Sequence, residues 1–189
     1  MQRLAQARAH ALTRAHTDTS FSLTDAKAKG WLVGQGGVPG TPVSTRNLNY
    51  SLADVRNMYM QQNAGFIKDG VDFWWNDEGE TMYFTFYWWS VAEAQLLQQL
   101  QPTARYFSIN RAYTPGMQRL GSSIWTGDVS VSWAAMQQQP AYLLNWQLAG
   151  AGYVTCDIGG FTGGNDPPDL LVRWSAPPPS PSPIRPISL

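Results

Sequence analysis

The chain has 189 residues, which is long enough for one domain with a hydrophobic core. Thirteen Lys and Arg residues balance thirteen Asp and Glu residues, so no charge field indicates a nucleic-acid partner. Aromatic residues make up 13% of the chain and include nine Trp, which excludes a disordered chain. Such side chains are typical of cores and of surfaces that stack on sugar rings.

Residue types suited to metal or thiol chemistry are scarce. Cys156 is the lone cysteine, which excludes an internal disulfide and a cysteine-cluster metal site. His10 and His16 both lie near the amino terminus, which argues against a His-dependent triad or a zinc site. We therefore expect no metal and no cofactor. The longest apolar runs fall short of the 18 residues of a membrane span, so none is expected.

Residues 1–49 form the first of three expected segments. The first 20 residues contain three Arg and no acid before Asp18, a composition shared by organelle transit segments and ordinary surface helices. Both alternatives stay open, and the localisation is not predicted. Residues 30–45 are rich in Gly and Pro and predict a loop. The segment is expected to be a targeting region or a remnant of upstream strands.

Helical patterns recur through residues 50–174. Ser51 is the expected cap of the first helix, with Asp54 three residues later as in a capping box, and Gly70 ends it. Three further helices are predicted over Tyr83–Leu100, over Val131–Leu148 with a kink at Pro140, and from Pro167 through Trp174.

Short apolar runs between these helices predict strands. The first strand is predicted to begin at Val71, and the other three cover Arg105–Ile109, Ser122–Trp125 and Gly152–Cys156. Alternation of strands and helices favours a parallel sheet with right-handed crossovers. An eight-unit barrel takes about 250 residues, so this chain has room for roughly half of one. The expected fold class is α/β, a partial (β/α)8 TIM barrel with about four βα units.

A polar residue follows each predicted strand. The stretch from Val71 to Glu80 stops on three carboxylates, and the polar groups that follow the four strands are Asp77, Arg111, Asp128 and Asp157. Parallel strands bring their carboxyl ends to one mouth, where a barrel carries its chemistry. Two carboxylates flanked by Trp, without metal ligands or a usable His, favour glycoside hydrolysis.

Four motifs then resemble one family. Trp75-Asn-Asp77-Glu-Gly-Glu80 resembles the Trp-x-Asp-Met-Asn-Glu signature of glycoside hydrolase family 31, the α-glucosidase and α-xylosidase family. Asn110-Arg111-Ala-Tyr is similar to its Ser-Arg-Ser/Thr-Phe segment.

The second pair of motifs follows in that family's order. Trp125-Thr-Gly-Asp128 is similar to the Trp-x-Gly-Asp motif. Asp157-Ile-Gly-Gly-Phe161, with the later Arg173-Trp174, resembles the Asp-Ile-Gly-Gly-Phe…Arg-Trp block. The resemblance covers about residues 50–174, which we expect to be the catalytic region.

The resemblance implies a retaining α-glycosidase that acts on α-linked oligosaccharides or glycosides through a covalent glycosyl-enzyme. Asp77 would be the nucleophile and Asp128 the general acid/base, with their carboxyl groups about 5 Å apart. Asp128 must hold its proton near neutral pH, and we expect burial beside Trp125 and proximity to another carboxylate to favour that form. The implied substrate-binding residues are Trp75, Arg111, Trp125, Asp157 and Phe161.

Each of these residues has an ordinary alternative role. Asp128 could cap the helix expected near Val131, and Arg111 could pair with Asp128 or Asp157. Trp74 points to the opposite side of its strand from Trp75 and is expected in the core. Cys156 is expected to be a packing residue within a strand, and Glu80 is expected to support the geometry of its loop.

The chain also departs from the family pattern. Glu78-Gly79 replaces the Met-Asn that follows the nucleophile, and Val38-Pro39-Gly40 stands near the place of a Trp-Pro-Gly loop without its Trp. The sugar and the linkage are therefore not predicted. The earlier barrel strands, the final strand and its His are not recognised.

Residues 175–189 are rich in Pro and Ser and predict a disordered tail. With half a barrel expected, we interpret the chain as a fragment that arose by truncation or by a reading-frame change near Arg173. The alternative function is an inactive fragment that acts at most as a carbohydrate-binding or scaffold module. An inverting or β-specific glycosidase on a similar barrel is a third alternative.

Overall fold

A computed structural model of the chain describes residues 23–34, 43–77, 79, 82–164 and 167–176. The chain divides after Ser122 into two units, Met1–Ser122 and Ser123–Leu189. Several predictions fall outside the described residues: the transit segment or surface helix with its two His, the Val38–Gly40 signature, Glu78, Glu80 and the tail from residue 177.

The described part of the first unit starts with a short helix and an antiparallel strand pair. Helix α1 covers Leu23–Ala28, and strands β1 (Leu32–Gly34) and β2 (Val43–Leu48) pair with Leu32 opposite Leu48. The prediction of a loop over residues 30–45 is therefore wrong at both of its ends. The Gly and Pro residues dominate the local signal, whereas the strands depend on pairing between residues that are distant in sequence.

Two long helices contribute many of the buried hydrophobic residues of this unit. Helix α2 covers Ala53–Lys68, helix α3 covers Thr85–Leu100, and the two pack against each other. Ile67, Leu96 and Leu97 surround Trp74, whose side chain is only 2% exposed. The prediction that Trp74 belongs to the core is thus confirmed.

The start of α2 differs from the predicted capping box. Its N-cap is Leu52, without a side-chain cap. The Ser51 hydroxyl instead donates to Asn49 Oδ1 at 2.5 Å, so a local turn competes for the group expected to cap the helix. The predicted end is correct, because Gly70 adopts a φ of 91° directly after the last turn.

Two parallel strands follow these helices in the chain. Strand β3 covers Trp74–Asn76 and β4 covers Ser108–Asn110, with Asn76 opposite Asn110. Both are shorter than the apolar runs that predicted them. A 3-10 helix at Met117–Leu120 leads toward the next strand. The parallel pairing confirms the βαβ connection, in which α3 is the crossover helix.

The second unit repeats the same pattern. Strand β5 covers Ser122–Trp125, starting at the boundary between the units, and pairs in parallel with β6 (Val154–Thr155). Helix α4 covers Trp133–Leu148 with Pro140 inside it, and α5 covers Pro168–Ser175. Within the described ranges, the strands do not close a barrel and no helix is both long and apolar enough to cross a bilayer.

Candidate active site

Asp77 and Arg111 form an ion pair in the first unit. Each directly follows a parallel strand, Asp77 after β3 and Arg111 after β4. Arg111 Nη1 donates to Asp77 Oδ1 at 2.6 Å, and the two side chains are 21% and 20% exposed. The contact orients one oxygen of the Asp77 carboxylate toward the Arg111 guanidinium. Arg111 therefore has a carboxylate partner other than the two that the sequence suggested.

Backbone contacts hold this pair at the strand ends. The Arg111 backbone N–H donates to the Asn76 carbonyl at 3.1 Å, which extends the ladder between β3 and β4 by one step. Trp75 is half-buried, next to Asp77, and its burial contrasts with that of Trp74 on the other side of the strand. Trp75 precedes Asp77 by two positions, the spacing at which residues of an extended chain share a face.

A buried polar network lies directly behind the pair. Glu93 on α3 is fully buried, and its carboxylate accepts from Tyr59 OH at 2.8 Å, Tyr106 OH at 2.6 Å and Asn76 Nδ2 at 3.0 Å. Asn76 Nδ2 also donates to Asn110 Oδ1 at 2.9 Å. The residues that precede Asp77 and Arg111 are therefore joined to each other and to Glu93.

Burial sets the charge behaviour of Glu93. Desolvation outweighs the opposing effect of the hydrogen bonds from Asn76, Tyr106 and Tyr59, and the net result raises the pKa of Glu93 from 4.5 to about 7. Burial first, and the nearby Glu93 second, raise the pKa of Tyr59 and Tyr106, which keeps both hydroxyls protonated as donors. The network thus contains one group that titrates near neutral pH.

Asp128 lies on a tight turn in the second unit. The Val129 N–H donates to the Gly127 carbonyl at 2.9 Å, which closes a three-residue turn around Asp128. The Asp128 side chain is exposed, so its expected burial beside Trp125 is wrong. Trp125, at the end of β5, is by contrast only 3% exposed.

The N-cap of α4 settles whether Asp128 caps this helix. Ser132 is the N-cap residue, and its hydroxyl accepts from the Ala135 N–H at 3.1 Å. Asp128 therefore does not cap this helix, and its turn precedes the helix by several residues.

The Asp157–Phe161 loop is hydrogen bonded to the Asp128 loop. The Phe161 N–H donates to the Val129 carbonyl at 2.7 Å, and the Val131 N–H donates to the Thr162 carbonyl at 2.8 Å. Asp157 is half-buried, whereas the Phe161 ring is 62% exposed. The two loops that carry predicted site residues of this unit are thus one connected element.

Cys156 connects the same loop to helix α5. It follows β6 directly, one position past the strand in which it was expected, and its sulfur accepts from Trp174 Nε1 at 3.3 Å. Burial raises the pKa of the Cys156 thiol. Its packing role is thus retained, with Trp174 as its partner.

Sequence reasoning missed the network behind the pair, whose members are Tyr59, Asn76, Glu93, Tyr106 and Asn110. One signal was present. Glu93 is the sole acid in helix α3, and it follows the buried Ala92 in an otherwise apolar stretch. An acid on a buried face requires hydrogen-bond partners, which would have indicated a network.

Comparison with known proteins identifies the family. The family model of the glycosyl hydrolases family 31 TIM-barrel domain matches residues 7–176. A probable glucan 1,3-alpha-glucosidase of Oryza sativa subsp. japonica is 42% identical over 89 residues, which are 47% of this chain and 10% of that protein. A neutral alpha-glucosidase AB of Dictyostelium discoideum is 36% identical over 93 residues, 49% of this chain and 10% of that protein.

A solved structure supports the same assignment. The crystal structure of a GH31 alpha-xylosidase from a soil metagenome, complexed with xylose, matches with a TM-score of 0.69 and 25% identity, over 82% of this chain and 27% of that one. The matched residues of this chain cover about a tenth of the length of each of the two glucosidases. The described strands and helices are therefore part of a TIM-barrel fold. Since the family model matches most of its length, the chain belongs to glycosyl hydrolases family 31.

Proposed function

We propose that the chain carries catalytic residues of a retaining α-glycosidase that hydrolyses O-glycosyl bonds of α-glucosides or related α-glycosides. Membership of family 31 and the glucosidase relatives support this reaction class. The observation that carries the proposal is the Asp77–Arg111 ion pair of 2.6 Å at the carboxyl ends of two parallel strands. That position is where barrel enzymes hold their reacting groups.

In the proposed reaction, Asp77 attacks the anomeric carbon and forms a glycosyl-enzyme. Asp128 protonates the leaving oxygen and then activates the water that releases the sugar. Exposure of Asp128 is compatible with this role, because a general acid/base must reach both the leaving group and water.

The sugar would be held by the remaining proposed site residues. Arg111 would donate to its hydroxyls, and the half-buried Asp157 would accept from them. The aromatic rings of Trp75, Trp125 and Phe161 would line the apolar face of the sugar. We also propose residues 50–174 as the catalytic region, flanked by residues 1–49 and 175–189, because all these residues fall inside it.

Hydrolysis of an aryl α-glucoside by the full chain tests the proposal. Asp77→Ala is expected to lower kcat/KM by about a thousandfold or more, since it removes the nucleophile. Asp72→Ala is the matched control, because Asp72 is an exposed carboxylate just before the same strand. It should leave hydrolysis within a few-fold of the wild-type rate.

The products and the binding of sugar separate the alternatives. Retention of the anomeric configuration, followed by NMR during hydrolysis, is expected, and an inverted product would contradict Asp77 as nucleophile. Binding of the glucoside by folded protein without turnover would instead favour a carbohydrate-binding module. Because the match covers only a tenth of each glucosidase, a carbohydrate-binding module is the alternative function that these measurements compare with hydrolysis.

A further inference from the structure

Glu93 is a charged group that the proposed reaction does not use. It lies on α3 with a side chain that is 0% exposed, and three donors from three different segments converge on its carboxylate. The donors are Tyr59 on α2, Asn76 on β3 and Tyr106 just before β4. A buried carboxylate is costly unless it is fully hydrogen bonded, so this site is built around an acid at position 93.

One of these donors connects Glu93 to the candidate active site. The Asn76 side chain bridges Glu93 and Asn110, while its carbonyl accepts the Arg111 N–H at 3.1 Å. Asn76 and Asn110 are register partners, and each is followed directly by a member of the ion pair. A shift of the Asn76 side chain therefore acts on the backbone that supports both charged residues.

The Asn110 end of the network is also anchored. Asn110 Nδ2 donates to Ser108 Oγ at 2.8 Å, and the Ser90 hydroxyl donates to Asn110 Oδ1 at 3.4 Å. Ser90 lies on the same helix as Glu93, three residues earlier, so α3 contacts both asparagines. The helix thus holds the carboxyl ends of both strands through side chains.

We propose that Glu93 is a positioning residue that, through Asn76 and Asn110, sets the geometry of the Asp77–Arg111 pair. This inference rests on the proposed function for its catalytic consequence, but its structural part does not depend on turnover. The raised pKa of Glu93 accords with this role, because perturbed pKa values cluster at functional sites.

The test follows the Arg111 guanidinium resonances by NMR in the full chain, with Arg111→Lys for assignment. Asp77→Asn defines the displacement that results when the ion pair is weakened. Glu93→Leu keeps the volume but removes both acceptors, so it should displace the Arg111 resonances toward the Asp77→Asn position. Glu93→Gln retains an acceptor for Asn76, so the Arg111 resonances of this variant should lie closer to their wild-type positions than those of Glu93→Leu. Folding of each variant is checked by circular dichroism.

A second pair of variants covers the case in which Glu93→Leu does not fold. Tyr106→Phe deletes one hydroxyl that donates to Glu93 and should displace the same resonances in the same direction. Tyr87→Phe deletes a hydroxyl in the same unit that contacts Arg119 instead, and it should leave the Arg111 resonances in place. Wild-type Arg111 resonances in folded Glu93→Leu, or in Tyr106→Phe, would overturn the proposal. So would equal displacement in Tyr87→Phe.

Hydrolysis separates this inference from the proposed function. If the wild-type chain hydrolyses the aryl α-glucoside, Glu93→Leu should lower kcat/KM by about tenfold or more, with Glu93→Gln closer to wild type. Equal rates for wild type and folded Glu93→Leu would overturn the catalytic part. If the wild-type chain does not hydrolyse the substrate, the proposed function fails, while the resonance displacements still decide the role of Glu93.

Discussion

Gly160 is a residue whose side-chain identity the structure constrains directly. It has a φ of 94°, a left-handed conformation that residues with a Cβ rarely adopt. A Cβ at this position would lie 2.8 Å from the Ser130 carbonyl oxygen and 2.7 Å from Val131 Cα. The second glycine of the Asp-Ile-Gly-Gly-Phe motif is thus needed for the close approach of the two loops in the second unit.

Gly160→Ala is therefore expected to destabilise the chain by about 2 kcal/mol or more, since both strain and a backbone clash act against it. Urea denaturation measures the change. Gly152→Ala is the matched control, because nothing lies within 4 Å of its added Cβ. An equal midpoint for both variants would show that the loop contact is not maintained in solution.

At the scale of elements, helix starts show how local and tertiary signals differ. Ser132 caps α4 through its hydroxyl, whereas Ser51, which carries the stronger sequence signature, does not cap α2. The Asn49 side chain accepts from both the backbone N–H and the hydroxyl of Ser51, so the chain enters α2 through a side-chain turn.

The same substitution at these two serines should have different effects. Ser132→Ala is expected to lower the stability of α4 by about 1 kcal/mol, since it leaves the Ala135 N–H without its cap. Ser51→Ala removes an exposed hydrogen bond and should have a much smaller effect. Hydrogen exchange of amides in the first turn of each helix measures both. The assignment of the caps would be contradicted if Ser51→Ala accelerated exchange at the start of α2 more than Ser132→Ala accelerates it at the start of α4.

At the scale of the whole molecule, Glu93 links global stability to pH. The donors to its carboxylate are neutral, and burial first and Glu93 second raise the pKa of the nearby Tyr50, Tyr59 and Tyr106, so these groups stay protonated. Between the ordinary value of 4.5 and about 7, the folded chain holds a proton at Glu93 that the unfolded chain has released. The stabilising contribution of Glu93 to the folded state is therefore fully present below this pH range and is lost as the pH rises through it.

Across this window, the free energy of unfolding should therefore fall by roughly 3 kcal/mol and then level off above pH 7. Glu93→Gln should remove this dependence, because the amide does not titrate. Urea denaturation of both proteins at pH 5 and pH 8 provides the comparison. The prediction fails if wild type and Glu93→Gln lose the same free energy between these two values.

Several elements were predictable because their signals are local. The apolar run at Ser122–Trp125 gave the correct bounds of β5, and the stripe that ends before Pro102 gave the correct end of α3. The strands β1 and β2 were missed, because Leu32–Gly34 lies among turn-forming residues and acquires its structure by pairing with Val43–Leu48.

The candidate site was predictable only in part. Asp77 and Arg111 were placed at neighbouring strand ends by the order of strands and helices, and the structure joins them directly. The burial expected for Asp128 was wrong, because a tight turn around a single residue leaves its side chain exposed. Its proposed role, like those of Asp157 and Phe161, stays a prediction.

The sequence by itself determined the family, the α/β order of elements and the motifs that carry the proposed site residues, because these depend on the residue types and their spacing. Only the tertiary structure decided that Arg111 pairs with Asp77, that Asn76 and Asn110 meet, and that Glu93 is buried beneath them. These contacts join residues that are 17 or 34 positions apart, so no local pattern specifies them. They form because parallel strands and their crossover helix bring distant side chains into one buried space.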